Sequence, residues 1–239
     1  MKLYDNIIND ILALTEKCES IDGVVENPTW PMTDENIMIL RSDMAYELGA
    51  QKYNGLGGTF VTCNSELIRE NYIKIIGPDL RSITSDMDYA RIAIVRVKED
   101  TIGEGNDLFN AIRKLEYVRY HFTPDGFMMR VSSSQNKESV RVSKEAIKKG
   151  ISFTDIGNRM IEAYMKNEDV ECVGIYYITS PYFDYKAFER VTNKGEKITK
   201  AIDHILKDVK MDCDICSLQE VCDEVEGLRK LHFAKDTNS

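Results

Sequence analysis

The sequence predicts an α/β fold, a mixed sheet with helices packed on it, plus a short C-terminal metal- or cluster-binding segment. Three observations predict it. Strand-like runs, alternating or rich in β-branched residues, interleave along the chain with segments of 3.6-residue hydrophobic period. The last periodic elements alternate strand and helix, which favours some parallel pairing. Three of the six cysteines fall within residues 213–222, beyond the last long helical pattern.

The elements follow in order. Residues 1–20 read as an amphipathic helix with Tyr4, Ile8, Ile11 and Leu12 on one face. Asn6, Asn9, Asp10 and Glu16 interrupt its apolar stretch and no small-residue cleavage site follows, so it does not read as a signal peptide. Gly23 to Asp34 holds Pro28, Trp30 and Pro31 and should be an irregular connection. Strands are expected at Ile37–Leu40, Met44–Leu48, Thr59–Thr62, Tyr72–Ile76 and Arg91–Val97. Asn54-Gly55, Gly57-Gly58 and Gly77-Pro78-Asp79 read as turns between them. From Asn106 to Tyr120 the pattern is helical, with Leu108, Phe109, Ile112, Leu115 and Tyr117 recurring on one side.

Phe127–Val131 and Ser139–Val142 are expected as two strands around a polar loop. Ser143 is placed to cap a helix over Lys144–Lys149 that Gly150 stops. Thr154 is expected to cap a second helix running to about Lys166, with Ile156, Met160, Ile161 and Tyr164 as its apolar face. Val170–Thr179 is the strongest strand, Pro181 ends it, and Tyr185 to Val209 reads as a long helix.

Length and composition bound the rest. A chain of 239 residues, 43% hydrophobic and 30% charged, suits one large domain with a small appendage. The expected division is an α/β domain over 1–210 and a cysteine-rich tail over 211–239. A net charge of −9 argues against non-specific nucleic-acid binding, because phosphates would be repelled. No apolar run reaches the ~20 residues that cross a bilayer, so no membrane is expected and the chain reads as cytoplasmic.

The cysteines carry the clearest chemistry. Cys213-Asp-Ile-Cys216-Ser-Leu-Gln-Glu-Val-Cys222 is followed, after nine further residues, by His232. A disulfide framework would spread its cysteines over a smaller secreted domain. A Cys-x-x-Cys turn instead lets two thiolates converge on one ion, and a third can close a face. Such soft ligands select Zn²⁺ or an iron–sulfur cluster, each needing about four ligands. His232 is the nearest fourth ligand by type and distance; Asp214 lies inside the turn, and Cys172 could approach only through the fold. Spacing leaves cluster and zinc both open, beside the plain reading of three reduced cysteines. A redox dithiol fits less well, because the pair follows a long helix rather than a strand–helix turn.

Arg113, Lys114, Arg119, Arg130, Arg141 and Lys144 concentrate basic charge in an acidic chain. One reading is an anion site for a nucleotide-like cofactor or an acidic redox partner, with Arg119, Arg130, Arg141 and Lys144 as its cofactor-binding residues. The other is a solvated face of ordinary ion pairs. Asn54-Gly-Leu-Gly-Gly58 matches neither the dinucleotide nor the P-loop pattern. His121 and His204 are isolated, and neither a Ser–His–Asp order nor a His-Glu-x-x-His pattern is present. No residue is assigned a catalytic role, and enzyme activity is left open.

From about Arg41 to His232 the sequence resembles the central region of the acetyl-CoA synthase subunit, the beta subunit of the carbon monoxide dehydrogenase/acetyl-CoA synthase complex. The matching pieces are Met44-Ala-Tyr-Glu-Leu-Gly49, Ile76-Gly-Pro-Asp79, Arg141-Val-Ser-Lys-Glu-Ala-Ile-Lys-Lys-Gly150 with Ile156-Gly157, and the terminal cysteines. The resemblance implies a [4Fe–4S] cluster. Cys213 and Cys216 stand for the family's Cys-x-x-Cys, Cys222 for its third cysteine after a shorter spacer, and His232 where its fourth cysteine follows a nine-residue spacer. The family's nickel-binding Cys-Gly-Cys is absent from the 239 residues, so no nickel is expected. Ser139 stands where the family has an aromatic residue near its CoA site. The implied role is accessory or electron-transferring in anaerobic one-carbon or corrinoid metabolism, rather than complete acetyl-CoA synthesis. A corrinoid or redox protein is the expected partner, and a homodimer is compatible with the chain. The alternative is a zinc-stapled, non-catalytic interaction module.

Overall fold

The computed structural model describes residues 2–34, 37–101, 106–132, 136–206 and 218–224. Its centre is a five-stranded mixed sheet in the order β1-β4-β8-β5-β3, formed by β1 (Ile21–Gly23), β3 (Gly55–Thr62), β4 (Tyr72–Ile76), β5 (Tyr89–Val97) and β8 (Val170–Ile178). A second, antiparallel sheet runs β2-β7-β6, from β2 (Ala45–Leu48), β6 (Phe127–Val131) and β7 (Glu138–Ser143). In the main sheet β3 pairs parallel to β5 and β4 parallel to β8, while β5–β8 and β1–β4 are antiparallel. The expected mixed α/β class, with some parallel pairing, is what forms.

Strand alternation sorts the layers. Phe60 and Thr62 of β3 meet Tyr4 and Asp5 at the start of α1 (Asp5–Thr15), by ring contact and a 2.8 Å hydrogen bond. Thr59, one residue off that face, meets the Tyr164 hydroxyl at 3.0 Å in α4 (Phe153–Met165), on the other side of the sheet. With α1 on the first face lie α2 (Asn106–Tyr117) and α5 (Tyr185–Leu206). The second face carries α4 and, beside it, the small sheet. Because both faces are covered, β3 is buried along its length, β5 except at Arg96 and β8 except at Glu171. That is why β5 and β8 read as nearly continuous apolar runs.

Local signals account for most boundaries. Ser143 caps α3 (Lys144–Lys149), its hydroxyl accepting from the Glu145 and Ala146 amides, and Gly150 ends the helix at φ 93°. The cap of α4 is Ser152, not Thr154: Ser152 and Asp155 form a reciprocal capping box, which leaves Thr154 inside the first turn. The helix predicted to Tyr120 breaks after Tyr117 into a 3₁₀ turn over Val118–Tyr120.

Ile37–Leu40 is not a strand. It joins no ladder, its Ile37, Met38 and Leu40 side chains are exposed, and it is tied down by the Ile39 amide on Met128 Sδ at 3.4 Å. The Gly-rich stretch from Gly55 is not a turn but the first half of β3. A Cβ on Gly57 would lie 2.2 Å from Glu138 Oε2, so glycine here admits the side chain of another strand. Among the described strands and α-helices, β1 and α6 (Gln219–Glu224) carried no sequence expectation. Residues 207–209, the predicted end of the long helix, lie outside the described residues. Among the described residues no helix is long and apolar enough to cross a membrane.

Candidate functional site

The small sheet presents the densest charge. In the β2–β7 ladder Glu47 lies opposite Arg141, and in β6–β7 Arg130 lies opposite Ser139. Period-two alternation puts Glu47, Arg141 and Arg130 on one face. Arg141 Nε donates to Glu47 Oε1 at 2.6 Å, and Arg130 Nη1 reaches the same oxygen at 3.5 Å. Arg41, from the segment before β2, approaches Glu47 Oε2 at 3.6 Å and donates to Asp86 at 2.7 Å. Asp86 also accepts the Glu47 amide at 2.9 Å. Three guanidiniums therefore converge on two carboxylates, and they bury Glu47 on an otherwise open face.

The three arginines and Glu47 border a groove of about 830 Å³, continued by Gln51 and Asn54 of the β2–β3 connection and by Gly55 at the start of β3. Arg41 and Arg130 remain 43% and 48% exposed, so their outer N–H groups are open to solvent and to a ligand. The local excess of positive charge and the fixed guanidinium planes suit phosphate or carboxylate oxygens.

Beneath the groove, a buried ion pair joins the two sheets. Arg91 of β5 donates from Nε and Nη2 to the two oxygens of Glu138 in β7, each at 2.8 Å, and neither side chain has any exposure. Tyr89 adds a third, longer donor at 3.3 Å. Burial alone would lower the Arg91 guanidinium, but the Glu138 carboxylate, with Tyr164 and Tyr89, raises it above its ordinary value. Burial, then Glu138, likewise raises the Tyr89 phenol well above its usual range, so it stays a hydrogen-bond donor.

The structure brings together Arg130 and Arg141 and separates the other two basic candidates from them. Lys144 sits over the Tyr46 ring at 4.9 Å, and Tyr46 points to the face of β2 opposite Glu47. Arg119 is buried in the 3₁₀ turn after α2. Arg41, Glu47, Asp86, Arg91 and Glu138 were not singled out from the sequence. The available signal was Arg91 near the start of the long apolar run of β5, since a buried charge requires a partner; Glu47 and Glu138 lie in short strands, and β7 also carries Arg141 and two serines, so they gave less.

Of the metal candidates only Cys222 is described. It lies on α6, half-buried against the core, with its amide donating to the Leu218 carbonyl at 3.1 Å. Leu218 and Val221 are buried, and α6 packs on α5. Cys213, Cys216 and His232 lie outside the described residues, as does Asp214. Cys172 is buried in β8, its thiol directed to the Ile68 carbonyl at 3.7 Å. Among the described residues no three His, Cys, Asp or Glu side chains are grouped to hold a metal ion. Three thiols and an imidazole are nonetheless a donor set that fits zinc or an iron–sulfur cluster, and α6 holds one of them at the edge of the folded body.

Comparison with known proteins bears on the body and not on the tail. No curated protein matches the chain. The family model of the CO dehydrogenase/acetyl-CoA synthase complex beta subunit matches residues 32–182. That span runs from before β2 to just beyond β8 and contains every residue of the groove and of the Arg91–Glu138 pair; α1, β1, α5, α6 and the clustered cysteines lie outside it. With more than half of its 239 residues matched, the chain belongs to the CO dehydrogenase/acetyl-CoA synthase complex beta subunit family.

Proposed function

We propose that the chain is an acetyl-CoA-synthase-like iron–sulfur protein of anaerobic one-carbon or corrinoid metabolism, acting as an accessory or electron-transfer protein. The observation that carries this reading is the soft donor set, three cysteines in ten residues, attached to a body of that family. Cys213, Cys216 and Cys222 are the thiolate ligands and His232 is the fourth. A bound [4Fe–4S] cluster supplies one-electron transfer. Packing of Leu218 and Val221 fixes α6, and with it Cys222, against α5. The groove residues Arg130, Arg141 and Arg41 bind the anionic groups of a nucleotide-like cofactor, and Glu47 holds the guanidiniums in place.

Strictly anaerobic purification followed by iron, sulfide, zinc and nickel analysis tests the proposal. About four irons and four sulfides per chain, with broad absorption near 400 nm that air bleaches, are expected. Cys222→Ala should lose most of the iron. One zinc and no colour would replace the proposal with the second reading, a zinc-stapled interaction module. That reading draws on the docking of α6, since a zinc site there would fasten the tail to the body. His232→Cys separates the two further: a structural zinc site tolerates it, whereas a cluster shifts its potential. For the groove, Arg141→Gln should weaken binding of a phosphate-bearing nucleotide about tenfold. Unchanged affinity would remove the groove from the proposal.

A further inference from the structure

Arg119 lies on a second polar cavity, on the opposite face of the main sheet from the groove. This cavity, of about 160 Å³, is lined by β3, α2, the 3₁₀ turn and α5. Its described wall carries three cations, Arg113, Arg119 and Lys200, and two carboxylates, Glu116 and Glu196. Arg113 and Glu116 pair at 3.0 Å, and Lys200 and Glu196 at 2.6 Å. Arg119 is the cation beyond these pairs. It is only 9% exposed, and its Nε is buried without a hydrogen-bond acceptor among the described residues. Its guanidinium carbon sits 5.3 Å from the centre of the Tyr120 ring, a contact that does not replace an acceptor for Nε.

A buried guanidinium donor without an acceptor is costly, and an anion that reaches it removes the cost. Glu116 is the neighbouring carboxylate and Arg119 acts on it through space, but burial pushes its carboxyl up, its hydrogen bond is to Arg113, and it gives the Arg119 Nε no acceptor. The hydroxyls in the wall are occupied: Tyr4 and Thr199 are 2.9 Å apart, Thr199 also donates to the Gly195 carbonyl, Thr59 meets the Tyr164 hydroxyl and Thr192 donates to the Glu189 carbonyl. The cleft on the far side of Arg119 is larger and mixed, with Met38, Phe122, Phe127 and Met129 beside Thr33, Tyr120 and His121, and Arg119 is the only Lys or Arg among its described lining residues. The cavity is also far below the roughly 300–1,000 Å³ that drug-sized or nucleotide-sized ligands occupy.

We infer that this cavity binds one compact oxyanion, a carboxylate or phosphate group, through the Arg119 guanidinium. Arg113 and Lys200, 48% and 57% exposed, stand at its mouth and attract the ion. The inference is independent of the metal site and of the groove.

Calorimetric titration of the full chain with inorganic phosphate and, separately, with acetate at constant ionic strength tests it. Saturable binding of one ion per chain is expected, and the tighter ion identifies the class of group. Arg119→Gln should weaken that binding at least ~10-fold. Lys200→Glu changes an exposed position and should keep the native circular dichroism while weakening binding several-fold, so the test survives if the Arg119 variant does not fold. Arg141→Gln, in the groove, should leave it unchanged. Absence of saturable binding by the wild-type chain overturns the inference. So does binding that Arg141→Gln abolishes and Lys200→Glu spares, because the ion would then sit in the groove.

Discussion

Glu138→Gln is the perturbation on which the packing of the two sheets can be judged. Glu138 accepts two 2.8 Å bonds from Arg91 and a 3.3 Å bond from Tyr89, and both members of the ion pair are fully buried. The amide keeps the volume but removes the charge, and turns one acceptor into a donor facing a guanidinium. Breaking a buried pair from one side costs about 3–5 kcal/mol, because the remaining charge is left uncompensated. Domains of this kind have about 5–15 kcal/mol in total. At roughly 2–4 °C per kcal/mol for a chain of this size, the melting temperature should fall by about 6–20 °C. The pair itself is not ideally satisfied, since Arg91 Nη1 has no hydrogen-bond partner. Replacing both residues together, Arg91→Met with Glu138→Leu, should therefore recover most of the loss. Urea unfolding followed by circular dichroism gives both differences. A Glu138→Gln variant within about 1 kcal/mol of the parent, or an apolar double variant no better than the single one, would refute the argument.

The same contact predicts that Gly57→Ala destabilises by at least ~1–3 kcal/mol, since its Cβ would meet the buried Glu138 carboxylate 2.2 Å away; a urea midpoint equal to the parent's would contradict it. Ser152→Ala should cost about 1 kcal/mol by removing the α4 capping box, while Thr154→Ala should cost clearly less. Equal losses in thermal unfolding would return the cap to Thr154. Burial pushes the Glu116 carboxyl up, against the opposing effects of Arg119 and Arg113. The folded chain then holds this proton more tightly than the unfolded one, whose value is about 4.3. The resulting stability is fully present below that value and is lost as pH rises through the folded-state value. Stability measured from about pH 4 upward should fall less in Glu116→Gln than in the parent; parallel curves would show that Glu116 does not contribute.

Elements with a local cause were legible. Tyr72–Ile76 and Phe127–Val131 form over the predicted residues, and Lys144–Lys149 has the predicted cap and stop. Each is specified by alternation or by a terminal residue, within a few positions of itself. The failures have causes elsewhere in the chain. Ile37–Leu40 has the composition of a strand, but a strand also needs a ladder partner, and β2 and β6 are the edges of a three-stranded sheet that leaves it unpaired. Gly55–Gly58 has the composition of a turn, yet forms buried strand, and the space its side chains would need is filled from elsewhere: by the Gly49 carbonyl at Gly55, by the Glu138 side chain at Gly57 and by the Phe60 ring at Gly58. The strand order β1-β4-β8-β5-β3 likewise depends on pairings that no short window contains.

The candidate site shows the same division more sharply. Arg119, Arg130, Arg141 and Lys144 look like one basic patch because they are close in sequence. A strand, however, sends neighbouring side chains to opposite faces, and a turn after a helix can bury a cation that a helix surface would expose. Arg130 and Arg141 share a face because the β6–β7 register aligns their side of the ladder, and Glu47 joins them because β2 pairs on the other side of β7. Lys144 leaves that face by the step from β7 into α3 and packs over Tyr46. Arg119 is taken to the opposite side of the main sheet, against α5. One stretch of basic sequence is thus divided into a surface groove and a smaller cavity. The two differ in what they can accept. The groove has room for an extended ligand and partly neutralises its own charge through Glu47 and Asp86. The cavity has room for a single small group and holds a buried cation with an unused donor. An anion that binds this protein should therefore be assigned by size as well as by charge, the small one to Arg119 and the large one to Arg130 and Arg141.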